Sequence, residues 1–119
     1  MASRSIYSWN VNGARSVFKK GFMDWFEGTR PDVLFLQEVR AELNQVPEAM
    51  AEPAGYHVFW NPSRARKGYS GTALYSREEP LSVKFGTGVA KYDKEGRTIL
   101  AEYEDHYLLG CYFPNGGND

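Results

Sequence analysis

Glu38 is the side chain in this 119-residue sequence whose type and placement best suit chemistry. It follows Val33-Leu-Phe-Leu36, an uninterrupted apolar run of the kind found in a strand covered on both faces, with Gln37 as its polar exit. A carboxylate leaving such a strand supplies the hard oxygen that Mg²⁺ prefers, and that ion usually takes one or two protein carboxylates while keeping several waters. The same carboxylate would also serve as a helix cap or as a solvated surface charge, and its position alone leaves all three roles open. Asn10 and Asn12 stand after a second strand-like segment, Ile6-Tyr-Ser-Trp-Asn10. If the two strands are parallel, all three polar residues gather beyond the carboxyl ends, where open α/β sheets bind ligands.

The remaining polar features are less pointed. Arg64-Ala-Arg-Lys-Gly-Tyr69 concentrates positive charge beside an aromatic, and a solvated face explains Arg64 and Arg66 as well as a ligand does. His57 lies within a strand pattern and His106 in a turn, so neither reads as catalytic. With 14 Lys+Arg against 15 Asp+Glu the formal net charge is -1, which removes bulk positive charge as a mark of nucleic-acid binding and leaves only local basic surface. Cys111 is the single cysteine; it closes no intramolecular disulfide and is read as a small buried side chain. No apolar stretch approaches the ~18 residues of a membrane span. The expectation is a soluble, intracellular, cytoplasmic protein without membrane association.

The elements that must position these residues follow from periodicity. Asn12-Gly13 ends the first strand, and from Ser16 the apolar Phe18, Phe22, Trp25 and Phe26 fall on one helical face, with Gly28 and Pro31 ending that helix. Strand, helix and strand make a βαβ unit with parallel strands. A short helix interrupted by Pro47 is expected between Glu42 and Ala51. Strands are expected at 56–60, 72–76, 81–85, 98–103 and 107–112, the last two joined as a hairpin, with an exposed loop over 61–70.

Trp9-Asn-Val-Asn-Gly-Ala-Arg15, Leu36-Gln-Glu-Val-Arg40, Lys67-Gly-Tyr-Ser-Gly71, Asp93-Lys-Glu-Gly-Arg97 and Tyr112-Phe-Pro-Asn115 resemble, in order and at similar intervals, the successive motifs of the exonuclease III family of apurinic/apyrimidinic endonucleases. The resemblance implies an α/β fold, half of a four-layered α/β sandwich, with one mixed sheet carrying helices on its outer face. It implies that residues 1–119 are the amino-terminal half of a single endonuclease/exonuclease/phosphatase domain whose carboxyl-terminal half is absent. Ile99, Ala101 and Tyr103 would then face a missing second sheet and leave the chain sticky.

By the same resemblance, Glu38 coordinates Mg²⁺, or Mn²⁺ in its place, with Asn12 beside it. Tyr112 is the active-site tyrosine, and Asn10 helps orient the catalytic aspartate or the phosphate. Arg15, Lys20, Arg40, Gly68, Tyr69, Arg97 and Asn115 lie near or on the DNA-binding face. The implied activity is hydrolysis of the phosphodiester 5′ to an abasic site in double-stranded DNA, or action at 3′ ends, by a monomeric complete protein. The family's Asp-x-Asn motif, a further aspartate and a late histidine are not among these residues, so the 119 residues alone are expected to be inactive. Two other functions remain on this scaffold: a noncatalytic nucleic-acid-binding regulator, and a phosphatase or sphingomyelinase-like member of the wider superfamily.

Overall fold

A computed structural model of the chain describes residues 4–88 and 93–113. Ile6–Asn10 (β1) and Val33–Gln37 (β2) run parallel, with Ile6 opposite Val33 and Asn10 opposite Gln37. The crossover between them holds two helices where the periodicity predicts one, Ala14–Lys19 (α1) and Phe22–Thr29 (α2). Gly21 separates them at φ 101°, a value that breaks the helical hydrogen-bond ladder and that only glycine adopts without cost. Gly28 lies inside α2, which ends instead on Arg30 in the left-handed region.

The apolar run of β2 is buried at every position because it has a layer on each side. Leu34 and Leu36 pack with Val17, Phe22 and Phe26 of the helices, while Val33 and Phe35 point the other way. Burial of each such side chain is worth about 1.5–3 kcal/mol, so this strand anchors both halves of the core. Thr72–Ser76 (β4) pairs antiparallel with β2, and His57–Asn61 (β3) pairs antiparallel with β4, giving the order β1-β2-β4-β3. Before β3 the chain makes a 3₁₀ turn at Leu43–Gln45 and a short helix, Glu48–Ala51 (α3), with Pro47 at its N-cap.

Ser82–Phe85 (β5), Thr98–Glu102 (β6) and Tyr107–Cys111 (β7) form a separate antiparallel sheet in the order β5-β6-β7. The β6–β7 hairpin closes where the Tyr103 N–H donates to the His106 carbonyl at 2.8 Å. This sheet covers the face of the mixed sheet that the helices leave bare. Gly110 of β7 sits against the Phe35 ring so closely that any Cβ there would collide with it.

The expected mixed sheet with helices on its outer face is present, and the reading of its partner layer is corrected. Ile99, Ala101 and Tyr103 are 1%, 0% and 4% exposed, packed on Val33, Phe35 and Leu74 rather than facing a missing sheet. Their alternation with Leu100 and Glu102 marks one covered face, but periodicity does not say which sheet covers it. Cys111 is half-buried, not buried, with Thr98 Oγ1 at 3.9 Å from its sulfur. Among the described residues no helix is long and apolar enough to cross a membrane.

Candidate active site

Because β1 and β2 are parallel, Asn10 and Gln37 end side by side, and the antiparallel β4 brings its amino end, Thr72, opposite Gln37. Main-chain hydrogen bonds lace the loops at this edge together. The N–H groups of Gly13 and Ala14 each donate to the carbonyls of Glu38 and Val39 at 2.8 Å. The N–H groups of Val39 and Arg40 donate to Gly71 and Ser70 at 3.1 and 2.9 Å, and that of Gly71 to Glu95 at 3.1 Å. Tyr112 is tied in by its own N–H, which donates to the Arg97 carbonyl at 2.8 Å.

This lacing holds backbone conformations that isolated residues avoid. Asn12, Glu38, Arg40 and Ser70 have φ of 51°, 56°, 54° and 47°, in the left-handed region. A non-glycine residue there costs on the order of 1 kcal/mol and persists where its surroundings over-determine it. Asn10 contributes directly, since its Oδ1 accepts the Asn12 N–H at 3.1 Å and shapes the turn.

The Glu38 carboxylate is neither a helix cap nor a free surface charge. No side chain caps α1, whose N-cap is Gly13. Instead Glu38 Oε1 accepts the Tyr112 hydroxyl at 2.6 Å, and Oε2 lies 3.6 Å from the Arg40 guanidinium. The Glu38 side chain is 19% exposed, sheltered yet open to a ligand on one side. Burial pushes the Tyr112 hydroxyl up to about 12, with further push from the hydrogen bond and charge of Glu38 and a partial offset from Arg40 and Arg97. At neutral pH Tyr112 is therefore a neutral phenol that donates its proton in a hydrogen bond.

Beside this pair runs an open groove lined by Arg15, Lys19, Arg40, Asn12 and Gly68. The structure thus brings together Asn10, Asn12, Arg15, Glu38, Arg40, Gly68 and Tyr112. Arg97 is adjacent through its carbonyl, while its guanidinium is paired with Glu95. Tyr69, next to Gly68, is 53% exposed. Lys20 is the C-cap residue of α1 and does not line the groove; Lys19 does. Sequence reasoning passed over Lys19, although it stands four residues after Arg15 and therefore on the same helical face. Asn115 lies outside the described residues.

The Glu38 carboxylate is a hard oxygen donor of the kind that suits a cation keeping most of its waters. Among the described residues no group of three or more His, Cys, Asp or Glu side chains is arranged to hold a metal.

Two packed sheets with helices outside one of them form an α/β sandwich, and a carboxylate-tyrosine pair stands where its parallel strands end. The sequence profile of the Endonuclease/Exonuclease/phosphatase family matches residues 7–116, and the chain belongs to that family. It is 42% identical over 111 residues to the exodeoxyribonuclease of Bacillus subtilis, covering 92% of this chain and 42% of that protein. Among solved structures it resembles an AP endonuclease from Archaeoglobus fulgidus (TM-score 0.78, 34% identity, 94% of this chain and 42% of that one). It also resembles a 3′ phosphatase from Neisseria bound to a product DNA hairpin (TM-score 0.79, 29% identity, 96% of this chain and 43% of that one). The chain spans about two fifths of the length of these relatives.

Proposed function

We propose that this chain forms part of a divalent-cation-dependent DNA phosphodiesterase of the exodeoxyribonuclease III and AP endonuclease type, which hydrolyses the phosphodiester 5′ to an abasic site. In this reading residues 1–119 are the amino-terminal half of one catalytic domain, in keeping with the 42% share of the Bacillus subtilis relative that they span. The observation that carries the proposal is the 2.6 Å bond from the Tyr112 hydroxyl to Glu38, which closes a sequence separation of 74 residues at the mouth of a basic groove.

Glu38, with Asn12 from the neighbouring strand end, would hold Mg²⁺, and Mn²⁺ would fit the same oxygens. When bound, the cation neutralises charge on the phosphate and on its departing oxygen. The chain's own residues do the rest of this half's work. Arg15, Lys19 and Arg40 offer donors to successive phosphates and set the register of the strand without reading its sequence. Arg97, Gly68 and Tyr69 extend that surface, and Asn115 is assigned to it from the motif it completes. Asn10 holds the Asn12 turn, and the neutral Tyr112 hydroxyl, whose single proton points at Glu38 here, would become a donor for a phosphate oxygen by releasing that bond.

The partner is duplex DNA carrying abasic sites or 3′ ends. Attack by water requires the Asp-x-Asn and histidine motifs of the family, so the 119 residues alone are expected to bind DNA and not to cut it. The test mixes the purified chain with labelled duplex containing a tetrahydrofuran abasic analogue, at low salt and with Mg²⁺. Binding that weakens steeply with salt is expected, with no nicking. Preference for a phosphomonoester or a lipid substrate over duplex would overturn the DNA assignment, and magnesium-dependent nicking would overturn the claim of inactivity.

A further inference from the structure

The loop from Pro62 to Ser70 carries three cations, Arg64, Arg66 and Lys67, that the proposed function leaves without a task. Both of its ends are fastened. At the start, the N–H groups of Arg64 and Ala65 donate to the Lys94 carbonyl, and the Arg66 N–H donates to Ser63 Oγ at 3.3 Å. At the finish, the Ser70 carbonyl accepts the Arg40 N–H, joining the loop to the residues beside Glu38. Between these ties the turn projects Tyr69, 53% exposed, with the Arg66 guanidinium carbon 4.2 Å from its ring centroid. Among the described residues Arg66 has no carboxylate partner.

A guanidinium held over a ring face leaves in-plane N–H donors for other acceptors when the two planes are parallel. Arg66 shields one side of the Tyr69 ring, and the residue as a whole stays 53% exposed. A phosphate fork is thereby held beside an exposed aromatic ring, a pairing that fits one sugar-phosphate step of a nucleic-acid strand. Neither residue alone has this shape, and a lysine at 66 would keep the charge while losing the plane.

We propose that Arg66 is a positioning residue for Tyr69, and that the two form one recognition unit for a sugar-phosphate step of DNA at the rim of the groove. The inference rests on the nucleic-acid reading above and adds a residue to it. Both side chains are exposed, so their substitution leaves the core intact and the thermal melt unchanged.

The experiment measures binding of a labelled duplex to the 119-residue chain by fluorescence anisotropy over a salt series, for Arg66→Ala, Arg66→Lys, Tyr69→Leu and the two Arg66 changes combined with Tyr69→Leu. Arg66→Ala is expected to weaken binding about tenfold and to lower the salt slope by about one phosphate contact. Arg66→Lys keeps the slope but weakens binding about threefold, and that Arg-to-Lys difference vanishes when Tyr69 is already leucine. An equal Arg-to-Lys penalty in both backgrounds, or no effect of Arg66→Ala, overturns the inference and leaves the DNA reading standing. If the unsubstituted chain shows no salt-sensitive binding of duplex, both fall together.

Discussion

Where β2 begins, polar side chains at the far end of the sandwich neutralise one another. Asp32 accepts the Ser5 N–H at 2.9 Å and lies 3.6 Å from Arg77. Arg4 reaches Glu78 at 3.2 Å and Asp105 at 3.6 Å, and the hydroxyls of Ser76 and Tyr103 meet at 2.8 Å between the sheets. Where β2 ends, the arrangement is reversed. Arg15 and Lys19 face an open groove, and four non-glycine residues are held at positive φ. The two buried side-chain atoms without a hydrogen-bond partner among the described residues are Asn61 Oδ1 and Ser70 Oγ, and Asn61 pairs with Thr72 at this end of the sheet. One end uses charge to close the sandwich, whereas the other uses backbone bonds to keep charge available. Of the five non-glycine residues at positive φ among those described, four stand at the groove end, and the fifth, Arg30, precedes β2 at the other.

The largest expected effect separates the two ends directly. In a chain that continues through the Asp-x-Asn and histidine motifs, Glu38→Gln should lower magnesium-dependent incision of abasic duplex by about 10² to 10³, since it removes charge at the cation. Asp32→Ala should leave that rate unchanged and lower stability by about 1–2 kcal/mol in urea denaturation, because it strands the donors of Ser5. Similar rate losses from both would erase the distinction.

Gly110→Val tests the interface that holds the two ends in line. The added side chain meets the Phe35 ring, and the overpacking should cost about 1–3 kcal/mol, read as a lower denaturation midpoint. A stable Gly110→Val chain would mean that the sheets sit farther apart than described.

Arg40→Gly sharpens the contrast by trading function for stability. Releasing a left-handed residue should gain about 1 kcal/mol and raise the melting temperature by about 4 °C. Its ion pair with Glu38 is half-exposed and offsets little of that gain. DNA binding should weaken, with the salt slope reduced by about one. A destabilised Arg40→Gly chain would show that the positive φ there is not strained.

The smallest effect concerns the core shared by both ends. Tyr75 is fully buried, its hydroxyl donates to the Met50 carbonyl at 2.6 Å, and burial raises its pKa above the ordinary phenol value. A pKa raised on folding stabilises the protonated form, so this contribution is complete below about pH 10 and is lost as the pH rises further. Tyr75→Phe should cost about 1 kcal/mol at pH 7, and the gap to the unsubstituted chain should close above pH 10 in urea melts. A gap that widens with pH would contradict the assignment.

Much of this arrangement was legible from residue types. The unbroken apolar run of Val33 to Leu36 announced a strand covered on both faces, and the parallel βαβ unit carried Asn10, Asn12 and Glu38 to one edge as expected. Local patterns failed where the deciding contact was distant. The helix break at Gly21 was invisible because the apolar face continues across it, from Phe18 to Phe22. The motif pointed to Lys20, while Lys19, one helical turn after Arg15, lines the groove.

By itself the sequence determined the strands, the two-sided burial of β2 and the identity of the polar residues at its end, because periodicity and side-chain chemistry act over a few residues. Only the tertiary structure decided that a second sheet covers Ile99 and Tyr103, that Arg66 lies on Tyr69, and that Tyr112 donates to Glu38. These last contacts join segments or loop positions whose separation is set by packing of the whole core, and no local rule carries that distance.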